Sequence, residues 1–191
     1  MLAAGASTRM GRNKLLLEVE GSTVLRLAAG RAVEAGLDPV VVVLGHEAEP
    51  ARRELAGLAV RTTLNPVFEE GINGSLRTGL AALPADVQAV VVMLADMPFV
   101  TTDMLVTLVQ RFRSGSAPLV ISEYDGVNAP PMLYARSLVP ELLALSGEGC
   151  GREVVRRHRH EATVVAWPAS ALDDLDAPDD YERIRARLER R

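Results

Sequence analysis

The sequence predicts an α/β domain in which a mostly parallel sheet is covered by helices. Three observations carry this. Apolar runs of strand length alternate with stretches of helical periodicity along the whole chain, and such alternation builds βαβ units. Several of the runs are apolar on both faces, as strands buried from both sides are. The apolar class makes up 48% of 191 residues and is mostly Ala, Val and Leu, with only 4% aromatics. This length forms a single domain, 1–191, and small branched side chains suit a sheet packed between helices.

The elements follow in chain order. MLAA, residues 1–4, reads as the end of a first strand. Residues 23–35 have helical spacing and close at Gly36, a helix stop. PVVVVL, 39–44, is a continuous β-branched strand. Residues 48–55 form a short helix. VRTTL, 60–64, is a more polar strand. Residues 75–83 are helical and end before Pro84. AVVVML, 89–94, is the next strand, followed by a helix over 101–112 that either Thr101 or Thr102 can cap. APLVIS, 117–122, and ATVVAW, 162–167, complete the strands. Helices over 137–145, 152–158 and 179–188 complete the set, and 123–131, rich in turn formers, is the expected long loop.

Composition excludes several classes. The net charge of −4 argues against a general nucleic-acid binder. A single cysteine rules out an intrachain disulfide framework. No run is long enough to span a bilayer and no signal peptide is visible, so a cytoplasmic protein is expected.

Ligands of parallel sheets bind beyond the carboxyl ends of the strands, and four segments there carry chemistry. In GASTRMGRNK, Gly5 and Gly11 permit tight turns that expose backbone N–H groups to an anion, and Arg9, Arg12 and Lys14 add three cations. The loop is neither a Walker A motif nor a dinucleotide fingerprint, because Gly-Lys-Ser/Thr is missing and position 7 is Ser. A surface turn with solvated basic residues is the plainer alternative. In LADMP, Asp96 stands where a buried strand opens to solvent. It can hold Mg²⁺ or simply form a turn ahead of a helix. In DDLDAPDD, 173–180, the last two acids suit the start of the final helix, whereas Asp174 and Asp176 would share a face in an extended stretch and could add a second carboxylate. In NPVFEEGINGSLRTGL, Asn65 ends a strand and Ser75 opens a helix. The helix start can receive an anion or a base edge, or Asn73 or Ser75 can merely cap it. Cys150 and Trp167 read as structural, and RRHRH, 156–160, as a solvated face that could also meet a phosphorylated substrate.

In this order the segments resemble a known family. LAAGASTRMGRNKLL is similar to the signature LAxGxSxRMGxxKxL of the MobA-like nucleotidyltransferases, and most similar to the molybdenum cofactor cytidylyltransferases of MocA type. NPVFEEGINGSLRTGL, LADMP, GVNAPPMLY, GEGCGREVV and DLDAPDDY resemble further segments of that group along the whole chain. The resemblance implies a Rossmann-like three-layer α/β/α fold of the nucleotide-diphospho-sugar transferase kind. It also implies an Mg²⁺-dependent enzyme that transfers CMP from CTP to the phosphate of molybdenum-bearing molybdopterin and releases pyrophosphate. A molybdenum hydroxylase would then receive the cofactor. On this resemblance, Leu2, Ala3, Ala4 and Gly5 lie near base and ribose, and Arg9, Gly11 and Lys14 lie on the phosphates, with Lys14 neutralising the α-phosphate. Asn65 and Ser75 contact base or ribose, and Asp96 holds Mg²⁺ with Asp176, or else Asp174, as second ligand. LAAG matches the cytidylyltransferase version of the motif where LAGG matches the guanylyltransferase one, so Ala4 favours a pyrimidine.

Two departures stand out. Relatives carry more apolar residues ahead of LAAG, so the first strand is expected to be very short or the start to have been assigned late. GVNAPP differs from the family's Gly-Asn-Pro pattern, which bears on the acceptor. The competing readings are a guanylyltransferase or another acceptor, and a non-catalytic carrier of the cofactor. An NAD(P)H-dependent oxidoreductase is disfavoured by the failed fingerprint.

Overall fold

The computed structural model describes residues 1–7, 10–173 and 178–188. The strands are β1 (Leu2–Ala3), β2 (Glu18–Val19), β3 (Ser22–Thr23), β4 (Val40–Leu44), β5 (Val60–Leu64), β6 (Ala89–Val92), β7 (Leu119–Tyr124), β8 (Val127–Asn128), β9 (Met132–Ala135) and β10 (Thr163–Trp167). The helices are α1 (Val24–Glu34), α2 (Ala48–Glu54), α3 (Ile72–Ala81), α4 (Thr102–Ser114), α5 (Val139–Leu143), α6 (Arg152–His158) and α7 (Pro178–Leu188). The expected α/β class and mostly parallel sheet are present.

β1 lies at the centre of the sheet. On one side it pairs with β4, which pairs with β5, all parallel. On the other side Leu2 bridges in parallel to Leu94, just past β6: the Leu2 N–H donates to the Met93 carbonyl (2.9 Å) and the Ala95 N–H to the Leu2 carbonyl (3.0 Å). Beyond β6 come β9, β7 and β10. The chain therefore leaves β1 outward through β4 and β5, then returns to β6 on the opposite side. That reversal of strand order is where parallel sheets open a ligand crevice.

Helices α1, α2 and α4 pack on one face, and α3, α5 and α6 on the other. β4 shows how the valine run serves both cores: Val40, Val42 and Leu44 face one cluster, and Val43 the other. Among the described residues, no helix is long and apolar enough to cross a membrane.

Several expectations need correction. The stretch 123–131 is a hairpin rather than a long loop. Asp125 (φ 50°) and Gly126 (φ 82°) are both left-handed, so β7 turns directly into β8, as Asp-Gly turns do. β9, unforeseen in MLYA, runs antiparallel between β6 and β7. The helix expected from 75 begins a turn earlier, at Ile72, because Asn73 is fixed by long-range bonds rather than acting as a cap. The helix expected over 137–145 is a 3₁₀ turn, Arg136–Leu138, followed by the short α5. β10, read as buried on both faces, is a half-exposed edge strand.

The first strand spans two residues. β4 and β6 run on past it, and Met1, Val41, Val43, Ala89 and Val91 line an apolar groove of about 600 Å3 there.

Candidate active site

At the carboxyl ends of β1, β4 and β6 the structure opens a cleft of about 570 Å3, within the range of small-ligand sites. Its near wall comes from the end of β1 and the segment after it: Ala3, Ala4, Gly5, Ser7, Met10, Lys14 and Leu15. Its far wall comes from Phe68, Glu69, Gly71, Ile72, Ser75 and Glu148, and Asp96 stands in it after β6.

The near wall is built by local bonds. Ser7 takes a left-handed conformation (φ 51°), its carbonyl accepts from the Met10 N–H (2.9 Å), and its hydroxyl accepts from the Lys14 N–H (3.2 Å). Asn13, nearly buried, accepts the Leu15 N–H on its side-chain oxygen (3.1 Å) and so caps the 3₁₀ turn Lys14–Leu16. The loop thus fixes the backbone of Lys14 at both sides. The Lys14 Nζ then lies 2.6 Å from Oδ2 of Asp96, with both side chains largely shielded, at 14% and 21% exposure. Asp96 is presented by a segment whose neighbours Ala95 and Met97 are buried. Arg31 of α1 holds that segment from behind, donating to the carbonyls of Pro98 and Val100.

Ala4 is supported from β4. The Ala4 carbonyl accepts from the His46 N–H (3.2 Å), and a Cβ on Gly45 would stand 2.6 Å from that carbonyl and 2.8 Å from the Ala4 methyl. Only a glycine lets the end of β4 lie this close.

The structure gathers most of the residues singled out in the sequence. Leu2, Ala3, Ala4, Gly5, Lys14, Ser75 and Asp96 all line the cleft. Asn65 stands behind Ser75 instead: its buried amide donates to the Ser75 hydroxyl (3.0 Å) and accepts from the Val67 N–H (3.2 Å). Gly11 is exposed and does not line the cleft. The Arg12 guanidinium lies over the Tyr181 ring, 5.6 Å from its centre, rather than in the cleft. Arg9, Asp174 and Asp176 lie outside the described residues. A Cβ on Gly5 would meet no atom within 4 Å, and Gly5 has no left-handed φ, so the fold itself does not demand glycine there. RRHRH is a charge-paired face: Arg156 and Arg157 meet Glu153, Arg157 and His158 meet Glu141, and Arg159 meets Glu123. The Cys150 thiol is pushed up to about 11, chiefly by burial, which leaves it a poor nucleophile at neutral pH.

Sequence reasoning assigns no role to Ser7, Asn13, Arg31, Gly45 and Glu148, and reads Asn73 only as a possible helix cap. Local turn chemistry could flag the first two; the others act through partners distant in the chain. Among the described residues no group of three or more His, Cys, Asp or Glu could hold a metal ion. Mg²⁺ is commonly held by one or two carboxylates together with substrate phosphates, so Asp96 in a cleft that also presents Lys14 fits that donor set.

Comparisons with known proteins show the family to which the fold belongs. The purine catabolism protein PucB of Bacillus subtilis is 30% identical over 199 residues, covering 96% of this chain and 93% of that protein. The bifunctional protein GlmU of Mycolicibacterium gilvum is 38% identical over 148 residues, covering 72% of this chain but only 29% of GlmU. Among solved structures, Rv0371c of Mycobacterium tuberculosis H37Rv superposes with a TM-score of 0.84 at 28% identity, covering 97% of this chain and 95% of that one. It has also been solved in complex with manganese. The family model for the MobA-like NTP transferase domain matches residues 1–163, cleft and both of its walls included, and the chain belongs to that family of nucleotidyltransferases.

Proposed function

We propose that this nucleotidyltransferase moves CMP from CTP to the terminal phosphate of molybdenum-bearing molybdopterin. The observation that carries the reading is the Lys14–Asp96 pair, 2.6 Å apart in a cleft floored by Ala3, Ala4 and Gly5. In the reaction, a phosphate oxygen of the acceptor attacks the α-phosphorus of the nucleotide. The bond from that phosphorus to the β-phosphate oxygen breaks, and pyrophosphate leaves. Such transfers depend on in-line positioning and charge neutralisation more than on covalent help.

This chain's residues supply both. Lys14, its backbone fixed by Ser7 and Asn13, brings an ammonium to the charge that develops around the α-phosphate. Asp96 is the residue that would hold Mg²⁺, with Asp176 or Asp174 as the further carboxylate. The bound cation would neutralise polyphosphate charge. That Rv0371c has been solved with manganese supports the use of a divalent ion. Asn65 holds Ser75 toward the nucleoside, and the methyl of Ala4, backed by Gly45, narrows the floor in favour of a pyrimidine. A molybdenum hydroxylase is the proposed recipient of the product.

The test is pyrophosphate release from CTP, GTP and ATP with Mg²⁺ and a molybdopterin acceptor. CTP-selective release supports the reading in full. GTP-selective release moves the base to guanine. Binding of CTP without release in the presence of the acceptor replaces this acceptor with another, or the enzyme with a carrier.

A further inference from the structure

The far wall of the cleft is held from outside. Asn73, in the first turn of α3, is 2% exposed and directs its side chain's hydrogen bonds to one segment. Its side-chain N–H₂ donates to the carbonyls of Ser146 (3.0 Å) and Glu148 (2.9 Å), and its side-chain oxygen accepts from the Gly151 N–H (3.3 Å). Its backbone N–H donates to the Gly147 carbonyl (3.1 Å). Gly71 completes the seat. With φ at 105° and the Gly147 carbonyl 2.7 Å from where a Cβ would lie, it lets the segment close onto the start of α3. The same position would be 3.1 Å from the Glu148 carboxylate, which places that carboxylate beside Gly71 at the cleft rim.

The two walls therefore differ in charge. Lys14 stands on one, where Asp96 pairs with it, and Glu69 and Glu148 stand on the other, whose described lining holds no cation. A nucleoside triphosphate sorts itself across such a field: its phosphates go to the ammonium, and its uncharged, donor-rich sugar goes to the carboxylates. A carboxylate that accepts from a ribose hydroxyl is a recurrent solution in nucleotide sites. Ser75, one turn along α3 from Gly71, lines the same stretch of wall.

We infer that Glu148 accepts a hydrogen bond from a ribose hydroxyl of the nucleotide, and that Asn73 is the positioning residue that keeps Glu148 there. This rests on the nucleotidyl-transfer reading, but the ribose is common to every NTP, so the inference does not depend on the base or the acceptor.

The test uses the full chain and needs no turnover. Binding of CTP, GTP and ATP and of their 2′- and 3′-deoxy forms is measured with Mg²⁺, alongside amide hydrogen exchange. The wild type is expected to prefer ribo- over one deoxynucleotide by at least about tenfold. Glu148→Ala should erase that preference without altering exchange anywhere. Asn73→Ala and Asn73→Asp should erase it as well, while amide protection falls at 146–151 and holds in the sheet. A wild type that binds no NTP, or binds both sugars equally, overturns the inference. So does a Glu148→Ala variant that keeps the wild-type preference, or an Asn73→Ala variant that keeps both the preference and the protection. Intact ribose discrimination in a protein that releases no pyrophosphate would instead overturn the transfer reading and leave this one standing.

Discussion

Two segments face each other across the cleft, and they are held by opposite means. The segment from Gly5 to Lys14 is secured largely from within: Ser7 reaches seven residues on to the Lys14 N–H, and Asn13 reaches two residues on to Leu15. The segment from Ser146 to Gly151 is secured by Asn73, on a helix more than seventy residues earlier in the chain. One loop carries its own scaffold; the other borrows one. The first should therefore tolerate damage elsewhere in the fold, and the second should fail whenever α3 or its first turn is disturbed.

The comparison can be broken at several points. The largest effects belong to the charged pair in the cleft, Asp96 and Lys14. Asp96→Ala is expected to abolish metal-dependent turnover with the circular dichroism spectrum unchanged, and normal activity would remove Asp96 from the metal site. Lys14→Ala should lower the rate about a hundredfold or more, the usual loss for a contact to developing charge. A merely twofold change in single-turnover rate would make it a bystander.

Next come the supports of the far wall. Gly71→Val puts a branched side chain at a left-handed φ and against the Gly147 carbonyl. The backbone strain alone costs about 1–3 kcal/mol, so Tm should drop by several degrees. Gly5→Ala, with nothing within 4 Å to meet, should leave Tm where it is. Equal Tm values for the two variants would contradict the borrowed scaffold.

Smaller is the loss of the near wall's own cap. Asn13→Ala should cost about 1 kcal/mol, read by urea denaturation. The effect should stay local, leaving the exchange of 146–151 unaltered.

The smallest effect is a pH dependence at the base of the far wall, where His158 of α6 bonds Glu141 of α5 (2.7 Å) and Glu161. Those carboxylates raise the His158 pKa above 6.5, and His158 followed by Arg157 lowers that of Glu141 below 4.5. The histidine's contribution is complete below pH 6.5 and is lost as pH rises through its higher folded value. The glutamate's is complete above pH 4.5 and is lost as pH falls through its lower folded value. Stability from this pair is thus greatest between those limits. The imidazole is largely covered but both carboxylates keep solvent contact, at 31% and 43% exposure, so the effect is small. His158→Ala should flatten the fall of Tm above pH 6.5, and an unchanged slope would remove the pair from the balance.

What can be read from the chain follows the same division. β4, a run of valines, and β7 are legible because burial on both faces leaves only one pattern. Lys14, Asp96 and the floor from Leu2 to Gly5 are legible because each falls within one short motif of the chain. β9 is not: four residues after two prolines carry no periodicity, and its place between β6 and β7 is a matter of tertiary pairing. The hairpin at Asp125–Gly126 has a local signal, the Asp-Gly pair, which the turn-rich composition around it obscures. Asn73 reads as a helix cap because a cap is what a single sequence can offer it. Its true partners are carbonyls and an N–H brought in by the packing of α5 against α3. Arg31 and Gly45 escape for the same reason, since each answers to a backbone group on another strand or loop.

The salt link between Lys14 and Asp96 also bears on the order in which ligands can arrive. The two side chains oppose each other's charge in a shielded place, so a bare divalent cation approaching Asp96 would have to evict the ammonium from its carboxylate. A bare polyphosphate approaching Lys14 would draw that ammonium away and leave the carboxylate uncompensated. Only a ligand that brings both signs together makes the exchange electrically neutral. The site is in effect a two-key lock, and equilibrium titration should find the metal–nucleotide complex bound well ahead of either component alone.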